Sequence, residues 1–424
     1  MFIFPPSFYF FQHSFNYNRK CVIIRTMQVR IDEQKIDELL TRGVDKIYPS
    51  KEALLVALRS GKKLVLYQGF DPTGDKLHIG HMVGLRKLAQ WQKLGHHVIF
   101  LIGDGTGQAG DPSGKTKKRE KFFTKEELRQ NANDYIKQAS KIVDFKGDNP
   151  IEVLYNSDWL NKLTLVDVLG ILDNFSHSQL AERNLFKERE KKGEEVVMRE
   201  FMYPVLQAYD SVAMKVDLEI GGSDQTFNML CGRDLVKKIQ HREKFVLTTP
   251  LLTDSQGKKI GKTEGNVIAL TDAPEDLFGK IMSLPDDVIS NALRYLTDMP
   301  MAEIEKIEKN IEKGENPMIF KKRLAVEIIS QLYDKDKAEM AEKRFNSTFQ
   351  KKEIPNVVEE IEIKGKPIST LVASGIAPSS SVAGRLFEAG AVTDMTENKK
   401  ITSKDKLKSG HVYKIGKHRF IKIK

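Results

Sequence analysis

The chain has 424 residues, of which 40% are hydrophobic and 30% charged, and its formal net charge is +10. At roughly 100–200 residues per domain, this length predicts two to four domains with ample core. The composition argues against a disordered, collagen-like or membrane protein. Two cysteines, Cys21 and Cys231, are too few for a disulfide framework or a metal-ligand cluster. A reducing compartment is the simplest interpretation.

The N-terminal segment differs in character from the rest of the chain. Residues 1–15 are rich in phenylalanine, with no basic residue ahead of the apolar run and no small-residue cleavage site after it. This is not the pattern of a secretory signal, and the run is too short and interrupted to span a bilayer. We interpret residues 1–30 as an N-terminal extension. One hypothesis is that residues 1–26 reflect start-codon choice and that translation begins at Met27.

The predicted elements alternate between helices and short apolar strands. In chain order they are helices over 31–40 and 51–60, a strand over 64–67, a helix over 79–94, a strand over 98–102, a glycine-rich loop over 103–114, a helix starting at Thr124, and strands over 153–155 and 216–220. This alternation predicts a parallel, doubly wound sheet covered on both faces. Such sheets bind ligands at the carboxyl ends of their strands.

The pattern changes in the C-terminal third of the chain. It becomes helical from about residue 274, and a Lys/Glu-rich stretch with a proline, residues 351–356, is a plausible linker. The last block, 368–424, is short and basic, with a helix followed by small strands. Residues 398–424 contain ten lysines and arginines against one acid. This tail favours a polyanionic partner, although a merely solvated surface stays open as the alternative.

Three motifs contain side chains suited to nucleotide chemistry. His78 and His81, three residues apart at the start of a predicted helix, would share one face where free N–H groups favour an anion. Lys259 and Lys262, around a glycine, would form a mobile basic loop able to cover phosphates. The segment 220–225, Ile-Gly-Gly-Ser-Asp-Gln, follows a strand and offers groups for ribose hydroxyls and a carboxylate. Each motif alone also fits an ordinary surface loop or helix start.

The segment from Ala109 to Thr116 nearly matches a phosphate-binding P-loop. However, Ala109 occupies the place of the first glycine, and basic residues and two phenylalanines intervene before the helix at Thr124. A P-loop must run straight into its helix so that backbone N–H groups converge on phosphate. We therefore expect no P-loop here.

Taken together, the order and spacing of the motifs resemble a class I aminoacyl-tRNA synthetase. The segments 67–73 and 110–115, together with 155–159 and 203–210, look like those of the bacterial-type tyrosyl-tRNA synthetases. The resemblance covers most of residues 40–345. The final block is similar, more loosely, to an S4-like RNA-binding domain.

The resemblance implies an α/β, Rossmann-like, doubly wound parallel-sheet catalytic domain. It would be followed by an α-helical anticodon-binding domain and a small α+β S4-like RNA-binding domain. The implied boundaries are 31–265 for the catalytic domain, 266–350 for the helical domain, 351–364 for the linker and 365–424 for the S4-like domain.

The resemblance also implies roles for individual residues. For tyrosine binding, the residues are Tyr67, Thr106, Asp111, Tyr203, Gln207, Asp210 and Gln225. For ATP binding, they are Gly69, Asp71, His78, Gly80, His81, Asp224, Gln225, Lys259, Lys262 and Thr263. For stabilising the departing pyrophosphate, they are Thr73, His78, His81, Lys115, Arg119, Lys259 and Lys262.

The implied reaction is tyrosine–tRNA ligation, and no metal is expected to be held by protein side chains alone. The tyrosine carboxylate attacks the α-phosphorus of ATP, with Mg²⁺ accompanying the ATP, and tyrosine then passes to the 3′ end of tRNA(Tyr). A cytoplasmic homodimer with no membrane association is expected. Three alternatives remain: the related tryptophanyl enzyme, an inactive RNA-binding paralogue, and a P-loop phosphotransferase. Tyr67 paired with Asp210 favours a phenol over an indole.

Overall fold

The computed structural model describes residues 27–74, 76–111, 123–181, 184–260, 262–263, 266–347, 359–397, 399–416 and 419–424. The N-terminal segment 1–26 and the predicted linker at 351–356 lie outside the described residues. The helices are α1 Glu33–Thr41, α2 Lys51–Arg59, α3 Ile79–Lys93, α4 Thr106–Ala109, α5 Lys125–Ala139, α6 Ser157–Leu160, α7 Leu165–Leu172, α8 His177–Ala181, α9 Asn184–Lys191, α10 Met198–Met214, α11 Thr226–Gln240, α12 Pro274–Met282, α13 Ile289–Leu296, α14 Met301–Glu312, α15 Pro317–Leu332, α16 Lys335–Phe345, α17 Pro367–Ala373 and α18 Ser380–Glu388.

The strands are β1 Lys46–Tyr48, β2 Val65–Phe70, β3 His97–Ile102, β4 Glu152–Tyr155, β5 Leu218–Gly222, β6 Phe245–Thr249, β7 Lys262–Thr263, β8 Asn266–Val267, β9 Glu359–Ile361, β10 Val392–Asp394, β11 Lys399–Lys400, β12 Val412–Ile415 and β13 Arg419–Ile423. Short 3₁₀ helices cover Ser223–Gln225 and Asp286–Val288.

The described residues form two compact units. The first contains the described residues up to Thr271 together with Pro285–Glu315, and the second contains Asp272–Leu284 and the described part of Asn316–Lys424. None of the helices in these described stretches combines the length and apolarity needed to cross a bilayer.

The first unit is built on a six-stranded sheet in the order β1-β6-β5-β2-β3-β4. Strands β2 to β6 are parallel, and β1 adds an antiparallel edge. From β2, the strands β3 and β4 are added on one side of the sheet, and β5 and β6 are added on the other side. The strand order therefore reverses between β2 and β5. A crevice at the carboxyl ends of two such strands is the usual ligand site of a doubly wound sheet. The predicted α/β fold is confirmed.

The structure adds elements that the sequence pattern did not predict. Strand β1 has only three residues and one aliphatic side chain, and β6 ends in two threonines, so neither gives a clear apolar run. The short helix α4 interrupts the predicted loop 103–114. The predicted helix start at Thr124 is confirmed, because Thr124 Oγ1 accepts a hydrogen bond from the Glu127 N–H at 3.1 Å while Glu127 Oε2 accepts one from the Thr124 N–H at 2.9 Å.

The second unit contains α12, α15 and α16 and a five-stranded sheet in the order β11-β10-β12-β13-β9. In the helical part, the rings of Phe278 and Phe345 pack with their centroids 5.1 Å apart. In the C-terminal part, α17, α18 and the sheet enclose a small core that includes Leu371, Phe387 and Ile421. The described residues of the last block thus form two helices and a sheet around a core of their own.

Candidate active site

The residues predicted to bind substrates converge on the carboxyl ends of β2 and β5. Tyr67 and Gly69 are two residues apart in β2, so they lie on the same face of the sheet. Asp71 follows the last residue of β2. Asp224 and Gln225 lie in the 3₁₀ turn after β5. These two loops flank the point where the strand order reverses.

At one end of the candidate site, Asp210 of α10 is a buried carboxylate, 2% exposed. Its Oδ2 accepts a hydrogen bond from Nδ2 of Asn156 at 3.0 Å, and its Oδ1 accepts one from Nε1 of Trp159 at 2.8 Å. Burial raises the pKa of the Asp210 carboxyl well above its ordinary value, and these two hydrogen bonds act in the opposite direction. Two fixed donors therefore hold the carboxylate so that it can accept a hydrogen bond from a ligand.

Tyr67, 1% exposed, lies on β2 facing the same helix. Its hydroxyl is 2.9 Å from Oγ of Ser211, the residue after Asp210. Burial raises the pKa of Tyr67 well above its ordinary value, and the negative charges of Glu219 and Asp210 raise it further. The Tyr67 hydroxyl therefore stays protonated and is available for hydrogen bonding beside a buried acceptor.

A second cluster lies around Asp71. Tyr203 donates to Asp71 Oδ2 at 2.9 Å, and Thr106 Oγ1 donates to Asp71 Oδ1 at 2.8 Å. Thr106 in turn accepts a hydrogen bond from Nδ2 of Asn156 at 2.9 Å, which connects this cluster to the Asp210 end. A Cβ on Gly103 would lie 1.9 Å from Oδ1 of Asp71, so only glycine leaves room for the carboxylate.

A chain of amides extends from this region across the site. Gln225 Nε2 donates to Asp111 Oδ2 at 2.8 Å, and Asn228 Nδ2 donates both to Gln225 Oε1 at 2.9 Å and to Gln207 Oε1 at 3.1 Å. Gln207 Nε2 then donates to Glu219 Oε1 at 2.9 Å. For each of these amides, the partners determine which end is the oxygen and which is the nitrogen.

The two histidines lie at the start of α3. The His78 side chain accepts a hydrogen bond from the Gly80 N–H through Nδ1 at 3.1 Å, and His81 accepts one from the His78 N–H through Nδ1 at 3.1 Å. An Nδ1 that accepts leaves the proton of the neutral ring on Nε2. With their centroids 3.9 Å apart, the two rings present N–H donors at a helix N-terminus, which suits phosphate oxygens.

The basic loop lies against the same helix start. The Ile260 carbonyl oxygen is 3.8 Å from where a Cβ on Gly80 would be, so the backbone of the loop comes close to α3. Lys259 Nζ forms an ion pair with Asp224 Oδ2 at 2.7 Å. The loop after β6 and the turn after β5 are thereby joined above the crevice.

Most of the predicted site residues therefore lie together, although the structure does not describe all of them. Lys115 and Arg119 lie outside the described residues, and for Lys262 and Thr263 only their backbone in β7 is described. Thr73 follows Asp71 in a tight turn, with its N–H donating to the Asp71 carbonyl oxygen at 2.7 Å. Across the described residues, no group of three or more His, Cys, Asp or Glu side chains could hold a metal ion.

Several polar residues at the site received no role from the sequence. Asn156 and Trp159 occur in a segment that carried the family resemblance, but their contact with Asp210 could not be read from it. Ser211 and Glu219 gave one signal each, a polar residue within a largely apolar helix or strand, whereas Lys244 stands in a polar run just before β6 and gave none. Such a residue must be buried with a partner or turned to solvent, and only the structure distinguishes these cases.

Comparison with known proteins agrees with this geometry. The family described as tRNA synthetases class I (W and Y) matches residues 59–350. A tyrosine–tRNA ligase from Dehalococcoides mccartyi (strain CBDB1) is 39% identical over 396 residues, covering 92% of this chain and 98% of its own length. One from Carboxydothermus hydrogenoformans is 39% identical over 411 residues, covering 93% and 98%.

Solved structures show the same fold. A C-terminally truncated mitochondrial tyrosyl-tRNA synthetase from Aspergillus nidulans superposes with a TM-score of 0.64 at 26% identity, covering 74% of this chain and 94% of its own. An archaeal tyrosyl-tRNA synthetase from Archaeoglobus fulgidus gives a TM-score of 0.58 at 22% identity, covering 73% and 99%, and supports the fold alone. The chain belongs to the class I aminoacyl-tRNA synthetases and, within them, to the bacterial-type tyrosine–tRNA ligases.

Proposed function

We propose that this chain activates L-tyrosine with ATP and transfers it to tRNA(Tyr), with separate groups of side chains binding the tyrosine and the ATP. The observation that carries the proposal is that the buried Asp210 carboxylate is held by Asn156 and Trp159, while the residue after it, Ser211, contacts the buried Tyr67 hydroxyl. A phenol hydroxyl can donate to the Asp210 carboxylate and accept from the Tyr67 hydroxyl. An indole or a phenyl ring would leave these buried polar groups without their ligand partner, which costs free energy.

The other end of the amino acid would lie among the acceptors around Asp71 and Gln207. Carboxylate and amide oxygens are the chemistry that an ammonium group requires. Tyr203, Asp111 and Thr106 hold or surround these acceptors, and Gln225 would orient the reacting carboxylate. Because Gln225 is fixed by both Asp111 and Asn228, the carboxylate would be positioned before ATP is attacked.

In the first step, a carboxylate oxygen of tyrosine forms a bond to the α-phosphorus of ATP. The bond from that phosphorus to the bridging oxygen breaks, and pyrophosphate leaves with the electron pair. No enzyme nucleophile is needed, so catalysis depends on positioning and on stabilising the charge of the pyrophosphate. His78 and His81 would donate Nε2–H to phosphate oxygens, and Thr73 would contact the same side.

Asp224 and Gly69 would bind the ribose, and Gly80 would let the nucleotide lie against α3. Lys259 is held by Asp224, so ribose hydroxyls bound to Asp224 would release Lys259 toward the phosphates. Lys262, Lys115 and Arg119 would add positive charge near the pyrophosphate, with Thr263 in the same segment as Lys262. Mg²⁺ would be bound through the ATP phosphates, as is usual for this ion.

In the second step, a hydroxyl of the tRNA 3′ terminal ribose attacks the carbonyl carbon of tyrosyl-adenylate, and AMP leaves. We propose that the helical domain at 266–350 and the S4-like domain at 365–424 contact tRNA(Tyr), mainly through its phosphates. The basic composition of the C-terminal residues supports salt-sensitive binding to a polyanion. The reaction would take place in the cytoplasm.

The test is amino-acid-dependent ATP–pyrophosphate exchange with each of the twenty amino acids offered singly. Exchange with tyrosine alone supports the proposal. Exchange with tryptophan in place of tyrosine would overturn the assignment of the Asp210 end. Folded protein that binds tRNA but exchanges with no amino acid would identify an inactive RNA-binding paralogue.

We also propose that the enzyme is a homodimer that uses the outer face of α7. Leu165, Val166 and Leu169 on this helix are 73%, 63% and 57% exposed, an apolar patch of the kind that marks an interaction surface. We expect Leu169→Glu to shift the protein from dimer to monomer at micromolar concentration, since a buried unpaired charge opposes association. Sedimentation equilibrium measures the change.

The matched control for the dimer is Val56→Glu. Val56 on α2 is 70% exposed but is not part of this patch, so its substitution should leave the oligomeric state unchanged. A wild-type protein that sediments as a monomer, or a Leu169→Glu variant that remains dimeric, would contradict the proposed interface.

A further inference from the structure

A buried ion pair lies behind Tyr67, on the side away from the nucleotide motifs. Lys244, just before β6, and Glu219, in β5, are 0% and 2% exposed, and Ser211 beside them is 0% exposed. Together with Tyr67 they form a closed polar group, here called the basal cluster. A lysine so completely buried requires partners for its charge.

The contacts within the basal cluster account for all three donors of the lysine. Lys244 Nζ forms an ion pair with Glu219 Oε2, donates to Ser211 Oγ at 2.7 Å and contacts the Met229 carbonyl oxygen at 3.4 Å. Burial lowers the pKa of Lys244, and the Glu219 carboxylate acts in the opposite direction. The pair is therefore stable only as long as both members are present.

The helix opposite the pair is shaped to admit it. Gly232 lies in the middle of α11, where glycine is less favourable than alanine by about 1 kcal/mol. A Cβ at this position would lie 2.7 Å from Lys244 Nζ and 3.1 Å from Ser211 Oγ. The glycine thus leaves room for the ammonium, at a cost in helix propensity.

The basal cluster limits how the hydroxyls of Ser211 and Tyr67 can share their protons. An ammonium has no acceptor, so Ser211 Oγ accepts from Lys244. Ser211 Oγ keeps a second lone pair, so its 2.9 Å contact with the Tyr67 oxygen fits either direction, and its proton can go to Tyr67 or to Glu219 Oε2 at 3.4 Å. When a bound phenol donates its only proton to Asp210, the phenol oxygen needs Tyr67 as its donor, and Ser211 is then the donor to the Tyr67 oxygen. With Ser211 donating to the Tyr67 oxygen, the Tyr67 proton is left to point at the ligand.

The second oxygen of Glu219 orients another binding residue. A carboxylate only accepts, so Glu219 Oε1 must face the NH₂ group of Gln207, which donates to it at 2.9 Å. The Gln207 oxygen is consequently directed to the opposite side, where Asn228 already donates to it. That orientation presents an acceptor to the ammonium group of an amino acid.

We propose that the Lys244–Glu219 pair is a positioning device for tyrosine recognition: it turns the Tyr67 hydroxyl into a donor toward the phenol oxygen, and it turns the Gln207 amide oxygen toward the ammonium. This inference rests on the proposed function. Neither residue touches the substrate; Lys244 acts through Ser211 and Tyr67, and Glu219 acts through Gln207. The pair would separate tyrosine from phenylalanine without any contact of its own.

The test compares Ser211→Ala, Gly232→Ala and Lys244→Met in ATP–pyrophosphate exchange. Ser211→Ala removes the donor to the Tyr67 oxygen, and Gly232→Ala and Lys244→Met displace or remove the ammonium that orients Ser211. We therefore expect KM for tyrosine to rise about tenfold, the size of one lost hydrogen bond. The values of kcat and of KM for ATP should change less than twofold. The preference for tyrosine over phenylalanine should fall by the same factor as KM for tyrosine rises.

Two control variants separate positioning from mere destabilisation. Glu200→Gln weakens another buried ion pair, in which Arg189 Nη1 lies 3.0 Å from the carboxylate, and should lower stability while leaving KM for tyrosine unchanged. Gly279→Ala adds a Cβ in the middle of α12, where it meets nothing within 4 Å, and should leave both properties unchanged or raise stability. Gly232→Ala and Ser211→Ala keep both charged residues, so they remain informative if Lys244→Met does not fold.

Folded Ser211→Ala and Gly232→Ala variants that keep the KM for tyrosine and the tyrosine preference within twofold of wild type would overturn the inference. The basal cluster would then be structural only. A wild-type protein that does not activate tyrosine would instead reject the proposed function, and the two failures are therefore distinguishable.

Discussion

Replacing Asp210 by alanine is expected to lower kcat/KM for tyrosine by about two to three orders of magnitude. A hydrogen bond to a charged group contributes roughly 1.5–3 kcal/mol, and its loss also leaves the donors on Asn156 and Trp159 facing an empty space. The activation of phenylalanine, which offers no hydroxyl to Asp210, should change far less. Steady-state ATP–pyrophosphate exchange with both amino acids measures the effect.

The pH dependence of wild-type binding gives the control for this result. The surroundings of Asp210 oppose its ionisation and raise its pKa. Its protonated form therefore stabilises the folded protein at low pH, and this contribution is lost as the pH rises through that pKa. Tyrosine needs the ionised form as acceptor. The dissociation constant for tyrosine should therefore increase as pH falls, through a pKa above the ordinary aspartate range, and the tyrosine-to-phenylalanine affinity ratio should fall with it.

The tyrosine-to-phenylalanine affinity ratio reports on Asp210, because titration of carboxylates near the ammonium group of the amino acid would change the binding of both amino acids equally. In Asp210→Asn the ratio should be low and independent of pH. A kcat/KM for tyrosine that survives Asp210→Ala within threefold, or a ratio that does not change between neutral and acidic pH, would show that the phenol is recognised elsewhere.

Replacing Lys259 by alanine is expected to lower kcat of exchange by about two to three orders of magnitude, the usual cost of removing one charge-stabilising contact in a transition state. The dissociation constant for tyrosine should not change, because the Lys259 side chain contacts Asp224 and lies outside the proposed tyrosine pocket. Single-turnover formation of tyrosyl-adenylate, combined with equilibrium tyrosine binding, separates the two effects.

Lys258 is the matched control for Lys259. It is adjacent in the same loop and exposed, yet only its backbone takes part in described hydrogen bonds: its N–H donates to Asp254 Oδ1 at 2.8 Å, and its carbonyl oxygen accepts from the Asp254 N–H at 3.0 Å. Lys258→Ala should change kcat less than twofold. Equal effects of the two substitutions would indicate that the loop acts through its net charge and not through a specific lysine.

The sequence by itself determined the family and the order of the catalytic motifs. Periodicity and apolar runs indicated the parallel strands, since a buried strand and an amphipathic helix leave distinct local patterns. Residues 78–81 and 220–225 offered groups suited to a nucleotide because they are contiguous segments that follow strands. The tyrosine site and the roles of single residues were predictions of the family resemblance.

What only the tertiary structure decided are the partners of the buried polar groups. Asp210 with Trp159, Gln225 with Asp111, and Glu219 with Lys244 are separated by 51, 114 and 25 positions. No local pattern encodes such pairs, because they form when helices, turns and strands far apart in sequence become neighbours in the fold. The proposed role of Lys244 rests on that packing.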